Sequence, residues 1–166
     1  MSFREHRAAA PARVKVAVVT ISDKRVEGQE EDVSGKMLEE GLMREGHTVV
    51  RHLLPNDGKK IETLIRELMR GDVDVIVTVG GTGISSRDVT IESIRPLIQK
   101  ELPGFGEMLR HLGYQKIGTP ALLSRALAGF AEGKLIFCLP GAPGAVAVGL
   151  ELILPDLAHL VRHARE

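Results

Sequence analysis

The segment from Thr78 to Thr90, TVGGTGISSRDVT, brings together residue types that bind phosphate groups. Glycines let backbone N–H groups approach an anion closely, and the N-terminus of a following helix adds partial positive charge. Hydroxyl side chains can donate hydrogen bonds to phosphate oxygens, and an arginine can neutralise their charge. The candidate donors are Gly80, Gly81, Thr82, Gly83, Ser85, Ser86 and Arg87. This segment is therefore a candidate phosphate-binding loop.

Asp88 adds a carboxylate to this loop. It cannot bind phosphate directly at neutral pH, because both groups are anions. A carboxylate among phosphate donors makes sense if a hard cation lies between them, and Mg²⁺ is usually held by one or two carboxylates together with substrate phosphates. Asp57, in the segment PNDG, is the candidate second carboxylate. Together these residues predict a nucleotide site for phosphoryl-type transfer.

Each of these residues also has a purely structural interpretation. Asp57 can be a helix N-cap. Asp88 can cap a helix that opens near Thr90, with Arg87 paired to it. The glycines can form a tight turn without a ligand. The loop is also not a standard dinucleotide fingerprint, because Ser86 stands where the third glycine of G-x-G-x-x-G belongs. Spacing alone leaves these alternatives open.

Apolar runs and amphipathic segments alternate through the first half of the chain. Runs rich in β-branched residues predict buried strands at 15–21, 47–54 and 72–79. Helical spacing of apolar residues predicts helices at 34–45, with Ser34 as the N-cap, at 58–70, with Asp57 as the N-cap, and from Thr90. This alternation predicts a single-domain, three-layer α/β/α fold with a mostly parallel central sheet.

The second half is less regular. Proline and glycine interrupt residues 101–121 around a short amphipathic piece near 105–112. Residues 122–131 fit either a helix or a strand, and the following EGK and LIFCL suit a hairpin with its turn near Glu132–Gly133. A small hairpin or irregular insertion is therefore part of the predicted fold. The last helix is predicted from about 145 to 163.

Polar and glycine-rich segments follow four of the predicted strands. In open α/β sheets, ligands bind beyond the carboxyl ends of the strands, where such segments meet. The candidates are Ser22, Asp23, Asp32, Ser34 and Gly35 after the first strand, PNDG after the second, the glycine-rich loop after the third, and LPGAPGA (139–145) after the last. We therefore expect one site at this edge of the sheet.

Composition excludes several classes of function. The 22 basic residues balance 22 acidic ones, which argues against an electrostatic nucleic-acid surface. Aromatic residues make up 3%, too few for a base-stacking platform. The single cysteine, Cys138, lies in an apolar run, so we interpret it as core packing and expect a reducing cytoplasm. No uninterrupted apolar run reaches about 18 residues, so no membrane span is predicted.

Both ends of the chain carry weaker signals. Residues 1–12 contain basic residues but no apolar stretch of the kind found in secretory signals, so they are expected to form a flexible tail before a domain at 13–166. His159 and His163 are four residues apart near the C-terminus. They could hold a metal ion, or they could lie at a solvated helix end with favourable dipole contacts.

Four motifs together resemble a known family. TVGGTGISSRDVT, PGFGEMLR, LLSRALAGF and LPGAPGAV, in this order and spacing, resemble the molybdenum cofactor biosynthesis family typified by MoaB and MogA proteins. TISD and DVSG near the start fit as well, and the match runs from about Arg13 onward. The compact domain with an N-terminal extension is similar to the MoaB branch.

The resemblance implies molybdopterin adenylyltransferase activity. The terminal phosphate of molybdopterin attacks the α-phosphate of ATP, pyrophosphate leaves, and Mg²⁺ assists. Asp57 and Asp88 match the family's two essential aspartates, which would hold Mg²⁺ through the phosphates. The residues implied on the nucleotide and phosphate side are Ser22, Asp23, Gly80, Gly81, Thr82, Gly83, Pro140 and Gly141. Those implied on the pterin side are Asp32, Ser34, Gly35, Glu107, Arg110, Ser124 and Arg125. The resemblance also implies a homo-oligomer, either a trimer or a hexamer.

Two positions depart from the family pattern. Ala142 stands where many relatives carry serine or asparagine, and Gly113 where many carry serine. Both changes remove a hydrogen-bond donor that the resemblance places on the molybdopterin side. They favour an alternative function, a non-catalytic carrier that binds molybdopterin or a nucleotide, whereas Asp57 and Asp88 favour the enzyme. A hydrolase acting on other nucleotides is a third hypothesis.

Overall fold

The computed structural model describes residues 13–166. The tail expected at 1–12 lies outside the described residues.

A six-stranded sheet forms the middle layer, in the order β2-β1-β3-β6-β5-β4. The strands are β1 Lys15–Ile21, β2 Thr48–Leu54, β3 Val75–Val79, β4 Lys100–Glu101, β5 Leu127–Ala131 and β6 Lys134–Leu139. β2, β1, β3 and β6 are parallel neighbours, and β5 runs antiparallel to both β6 and β4. The carboxyl ends of four strands therefore meet at one edge, as the sequence predicts.

Helices cover both faces of this sheet. They are α1 Asp23–Val26, α2 Val33–Arg44, α3 Gly58–Arg70, α4 Thr90–Ile94, α5 Pro103–Ile117, α6 Pro143–Ile153 and α7 Leu157–Arg165. One core cluster joins α2, α5, α6 and α7 to the first face. A second cluster joins α3 and α4 to the other face. The strands read as continuous apolar runs because successive side chains of β1 enter opposite cores.

The N-cap of α2 is Asp32 and not Ser34, so that prediction is wrong. The carboxylate of Asp32 accepts a hydrogen bond from the backbone N–H of Gly35 at 2.9 Å. The hydroxyl of Ser34 is buried and donates instead to the carbonyl of Gly141 at 2.7 Å. The side chain of Ser34, which the local sequence assigns to the cap, is therefore used in a tertiary contact with Gly141.

Helix α5 is longer than the short piece predicted near 105–112. Pro103 occupies the first turn, where its missing N–H costs nothing, and Gly118 ends the helix with a φ of 71°. The glycines within it do not break it, since its apolar side packs on the core through Leu109. Tertiary packing here overrides the low helix propensity of glycine.

The predicted hairpin is present and belongs to the central sheet. Residues 119–123 form a 3₁₀ turn, and the ambiguous segment then becomes strand β5. Glu132 and Gly133 both have positive φ, 51° and 75°, as a type I′ turn requires. The turn prediction at these two residues is confirmed.

The last helix is divided into two. A 3₁₀ turn at Leu154–Asp156, which contains Pro155, separates α6 from α7. By length and composition alone, Pro143–Arg165 could cross a membrane, with a mean hydropathy of 1.6. The proline break and the packing of Val146, Ile153 and Val161 in the core explain this apolar character as that of core helices.

Candidate functional site

The loop that follows β3 depends on glycines at its first two positions. Gly80 and Gly81 have positive φ values of 101° and 65°. A Cβ on Gly80 would lie 2.3 Å from the carbonyl oxygen of Ile21, and a Cβ on Gly81 would lie 2.3 Å from Oγ1 of Thr90. Thr90 fastens the loop, because its Oγ1 donates to the Gly80 carbonyl at 2.9 Å. The glycines therefore form a tight turn and also bring the backbone close to the end of β1.

A cavity of about 520 Å³ opens beside this loop at the carboxyl edge of the sheet. One part of its wall consists of polar groups and backbone from the strand exits, namely Ser22, Asn56, Gly80, Gly81, Thr82, Gly83, Asp88, Pro140 and Gly141. Another part is mostly apolar and comes from the end of α5 and the 3₁₀ turn after it, namely Ile117, Pro120, Leu123 and Ser124. The four strand exits thus converge on one space, as the sequence predicts.

Asp88 lies in the wall of this cavity and does not cap α4. Its Oδ2 accepts the backbone N–H of Ser85 at 3.1 Å, and its own N–H donates to the Ser85 carbonyl at 3.0 Å. Arg87 pairs with Asp23, so the alternative in which Arg87 neutralises Asp88 is also wrong. Within residues 13–166, no hydrogen-bond donor reaches Oδ1 of Asp88. One carboxylate oxygen thus remains available to a cation.

Asp57 does not share the cavity wall with Asp88. Its Oδ1 accepts the backbone N–H of Lys60 at 3.1 Å, which makes it the N-cap of α3, as predicted. It borders a separate depression lined by Leu54, Lys60 and other residues of α3. Its neighbour in the chain, Asn56, does line the cavity. The two predicted metal ligands therefore follow β2 and β3, which β1 separates in the sheet, and they border different spaces.

Asp23 connects three strand exits and is not among the residues that line the cavity. Its Oδ1 accepts the backbone N–H of Asn56 at 2.9 Å, and its Oδ2 accepts Nη2 of Arg87 at 2.6 Å. The hydrogen bond from Asn56, followed by the charge of Arg87, holds the pKa of Asp23 below its usual value of 3.8, although burial acts in the opposite direction. Asp23 therefore ties the loops after β1, β2 and β3 together.

Three of the predicted pterin-side residues lie behind the cavity wall. Asp32 forms an ion pair with Arg51 and accepts Oγ1 of Thr20 at 2.6 Å. Gly35 is packed against this group, since a Cβ there would lie 2.2 Å from Oδ2 of Asp32. Ser34 holds the wall from behind through Gly141. Ser34 thus supports the loop after β6, and none of the three residues lines the cavity.

The remaining pterin-side residues are divided between two spaces. Ser124 lines the main cavity. Glu107, Arg110 and Arg125 line a second pocket of about 240 Å³ between α5, β4 and β5. Arg125 also reaches back to the loop, where its Nη1 donates to the Gly83 carbonyl at 3.2 Å. Arg125 therefore links the second pocket to the glycine-rich loop of the main cavity.

The two departures from the family pattern occupy different places. Ala142 lines the cavity and is the N-cap residue of α6, where it offers no side-chain hydrogen bond. Gly113 is not among the cavity residues; a Cβ there would meet Cβ of Ala121 at 3.4 Å. Of the two, only Ala142 changes the chemistry of the wall.

Some residues of the cavity wall were not predicted individually from the sequence. They are Arg25, Glu30, Asn56, Ile117, Pro120 and Leu123. Asn56 carried a signal, since it lies beside Asp57 in PNDG. The apolar residues carried none, because they lie beyond the short amphipathic piece predicted near 105–112.

The remaining candidates stand apart from the cavity. Cys138 is fully buried, and burial raises the pKa of its thiol to about 12, so the thiol is protonated and unsuited to act as a nucleophile. His159 is buried, so the prediction of a solvated helix end is wrong for it, and its ring lies 4.5 Å from that of His163, centroid to centroid. Across the described part of the chain, no group of three or more His, Cys, Asp or Glu side chains forms a metal cluster.

Known proteins resemble this chain along nearly its whole length. Residues 17–159 match the protein family described as "Probable molybdopterin binding domain". A relative from Pyrococcus furiosus named "Molybdopterin adenylyltransferase" is 44% identical, with 100% of both chains covered. "Molybdenum cofactor biosynthesis protein B" of Bacillus subtilis is 43% identical, over 100% of this chain and 99% of the relative.

The fold is similar to that of solved structures as well. The crystal structure titled "tungsten cofactor synthesizing protein MoaB", from Pyrococcus furiosus, has a TM-score of 0.88 and 41% identity, and the match covers 95% of this chain and 100% of that one. The glycine-rich loop and the cavity beside it therefore belong to a fold shared along the whole chain.

Proposed function

Because this chain belongs to the MoaB family of molybdenum cofactor biosynthesis proteins, we propose that it is a molybdopterin adenylyltransferase. In this reaction a terminal phosphate oxygen of molybdopterin forms a bond to the α-phosphorus of ATP. The bond between the α-phosphorus and the bridging oxygen of pyrophosphate breaks. The products are adenylylated molybdopterin and pyrophosphate.

The two-sided wall of the cavity is the observation that carries this proposal. The polar side offers glycine backbone and the hydroxyls of Ser22 and Thr82, which suit phosphate groups. The apolar side, with Ile117, Pro120 and Leu123, suits a flat heterocycle such as adenine or a pterin. ATP and molybdopterin each combine a heterocycle with phosphate, so both substrates match this division.

We assign Mg²⁺ to Asp88, together with substrate phosphates. The free Oδ1 of Asp88 fits this ion, since Mg²⁺ takes one or two protein carboxylates and fills its other positions with phosphate and water oxygens. Bound there, the ion would reduce the repulsion between the phosphate groups that must approach one another. Asp57 stays the candidate second carboxylate. Its Oδ2 receives no hydrogen bond from the described residues, and Asn56 beside it reaches the cavity.

Some of the other assigned residues would contact the substrates, and others would act on them through the protein. Ser22, Gly80, Gly81, Thr82, Gly83, Pro140 and Gly141 would contact the nucleotide phosphates from the wall, and Ser124 would face the pterin. Asp23, Asp32, Ser34 and Gly35 would act indirectly, by fixing the loops that form the wall. Glu107 and Arg110 would support the pterin side from the second pocket.

We also propose that the chain forms a homo-oligomer, a trimer or a hexamer. Large apolar side chains are exposed around the end of α5 and the 3₁₀ turn after it, among them Ile117 at 61% and Leu122 at 71%. Large exposed apolar patches are rare on monomeric proteins and commonly mark surfaces that bind another protein. Light scattering on the purified protein would give the number of subunits.

The reduced, buried Cys138 fits the cytoplasm as the site of action.

A carrier that binds but does not react is the second candidate function. Ala142 favours it, because this residue in the cavity wall has no side-chain donor for a substrate oxygen. The missing hydrogen bond corresponds to about 0.5–1.5 kcal/mol. A loss of this size weakens binding of a substrate but does not remove the phosphate loop or Asp88.

Incubation of the purified protein with molybdopterin, ATP and Mg²⁺, beside an Asp88→Asn variant, distinguishes the two candidates. The enzyme forms adenylylated molybdopterin and pyrophosphate in equal amounts, and the variant loses this activity while still binding molybdopterin. A carrier binds molybdopterin but forms no product. That second outcome would reject the enzyme and leave the carrier.

A further inference from the structure

Arg125 is the one side chain of the second pocket that also contacts the phosphate loop by a hydrogen bond, among the residues that the structure describes. It lies just before β5, 42 residues along the chain from Gly83. Its Nη1 donates to the Gly83 carbonyl at 3.2 Å, and its Nη2 forms an ion pair with Glu92 in α4. The planar guanidinium fork therefore joins the loop to the helix that follows it.

Both terminal nitrogens of the Arg125 side chain already contact the protein. Arg110, in the same pocket, differs: its Nη1 makes one long hydrogen bond, 3.5 Å, to the Ser124 carbonyl. Burial of the Glu92 carboxyl acts to raise its pKa, but the hydrogen bond from Arg125 and the nearby charges keep that pKa below its usual value. The Arg125–Glu92 pair is thus charged at neutral pH and stays together without a substrate.

The carbonyl that Arg125 holds belongs to Gly83, which lies close to Asp88. A Cβ on Gly83 would lie 2.6 Å from Oδ2 of Asp88, so the backbone at Gly83 and the carboxylate at Asp88 are packed against each other. A shift of Gly83 toward this carboxylate would therefore displace Asp88 from its contact with Ser85.

The other attachments of this loop are at its ends or on its exposed surface. Thr90 fastens the start of the loop through the Gly80 carbonyl. Arg87 ties the far side to Asp23, but its side chain is 76% exposed, and exposed ion pairs contribute little. Arg125, at 33% exposure, holds the middle of the loop from the protein side.

We propose that Arg125 is a positioning residue for the nucleotide side of the site. By binding the Gly83 carbonyl, it fixes the glycine-rich loop and, through this loop, Asp88. The positive guanidinium group also offsets the partial negative charge of that carbonyl oxygen, which would otherwise repel a bound phosphate. This assignment differs from the pterin-side role that the sequence implies for Arg125. The consequence for ATP rests on the proposed function, whereas the effect on the loop does not.

Two substitutions weaken the contacts of Arg125 with Gly83 and Glu92, and each changes one property of the pair. Arg125→Lys keeps the charge, but a single ammonium group cannot serve the carbonyl and the carboxylate as the fork does. Glu92→Gln keeps the shape of the anchor and removes its charge. Arg66→Lys is the matched control, because Arg66 pairs with Glu62 in α3 at 2.8 Å and neither residue lines the cavity.

Hydrogen exchange and steady-state kinetics together test the proposal. In Arg125→Lys, the amides of residues 80–88 should exchange about tenfold faster, and KM for ATP should rise about 3- to 10-fold, with KM for molybdopterin within about twofold of the wild type. Glu92→Gln should change the same two quantities in the same direction by a smaller factor. Arg66→Lys should change neither.

Three results would overturn the proposal. The first is unchanged exchange of residues 80–88 in Arg125→Lys. The second is a rise in KM for molybdopterin with KM for ATP unaltered, which would make Arg125 a pterin contact. The third is faster exchange spread evenly over α4, β5 and the loop, which would mean general destabilisation. If the wild-type protein forms no adenylylated product, the proposed function fails, while loop exchange still decides whether Arg125 positions the loop.

Discussion

Asp57 has two roles that one pair of substitutions can separate. Its Oδ1 caps α3 by accepting the Lys60 N–H at 3.1 Å, and its Oδ2 is the proposed second carboxylate oxygen for Mg²⁺. Asparagine keeps an oxygen that can cap the helix but removes the negative charge. Alanine removes both. We therefore expect Asp57→Asn to lose activity while remaining nearly as stable as the wild type, and Asp57→Ala to lose activity and stability.

The magnitudes follow from the two contacts. Loss of an N-cap side chain costs about 0.5–2 kcal/mol, typically about 1. In a chain of 166 residues, about 1 kcal/mol lowers the melting temperature by about 2–4 °C. Asparagine forfeits the attraction between the carboxylate and the helix dipole, about 0.3–1 kcal/mol. If Asp57 stabilises charge during transfer, removal of its charge should slow the reaction about 100-fold or more.

The assay compares urea unfolding with the rate of adenylyl transfer at saturating ATP and Mg²⁺ for the wild type and both variants. A wild-type rate in Asp57→Asn would refute the catalytic role and leave Asp57 as a cap. Equal stability of Asp57→Ala and the wild type would refute the energetic importance of the cap. Asn56 lines the cavity, whereas its neighbour Asp57 does not. The rate of Asp57→Asn is therefore the sharper test of whether Asp57 belongs to the site.

Three further predictions follow from single contacts. Gly80→Ala should destabilise the protein by at least about 1–3 kcal/mol in urea unfolding, because φ is 101° and the new Cβ would lie 2.3 Å from the Ile21 carbonyl oxygen; a neutral result would mean that the loop moves freely. Ala142→Ser should stabilise the protein by about 0.5–2 kcal/mol as a new N-cap of α6 and should lower KM for molybdopterin; unchanged unfolding would argue against the cap. Asp23 has a lowered pKa in the folded protein, so its contribution to stability is present above the usual value of 3.8 and is lost as the pH falls through the folded pKa. The difference in unfolding free energy between the wild type and Asp23→Asn should therefore shrink as the pH is lowered below 3.8. A difference that stays constant with pH would contradict the lowered pKa.

Local patterns were sufficient for the regular half of the chain. The apolar runs predicted β1 and β2 to within a residue, and Asp57 predicted the start of α3, because these elements depend on periodicity and on a cap three residues from its partner. β3 begins at Val75, three residues later than predicted. Asp72 lies in the turn after α3 and forms an ion pair with Lys15 at 2.6 Å. Where a distant group took over a residue, the prediction failed.

The candidate site shows the same division. Convergence of the strand exits was predictable, because parallel strands place their carboxyl ends together. The sequence did not predict that Ser34 bonds to Gly141, 107 residues away, or that Asp32 and Gly35 lie behind the wall. Nor did it predict the apolar side of the cavity, which depends on how the end of α5 is placed over the sheet.

By itself, the sequence determined the α/β alternation, the glycine-rich loop with Asp88 at the end of β3, and the family to which these motifs belong. These features are encoded within short stretches, where period, turn chemistry and caps act between near neighbours. Only the tertiary structure decided that Asp88 faces the cavity while Asp57 borders another depression, and that Arg125 reaches Gly83. Such contacts join segments far apart in the chain, and their geometry is set by the packing of helices and loops on the completed sheet.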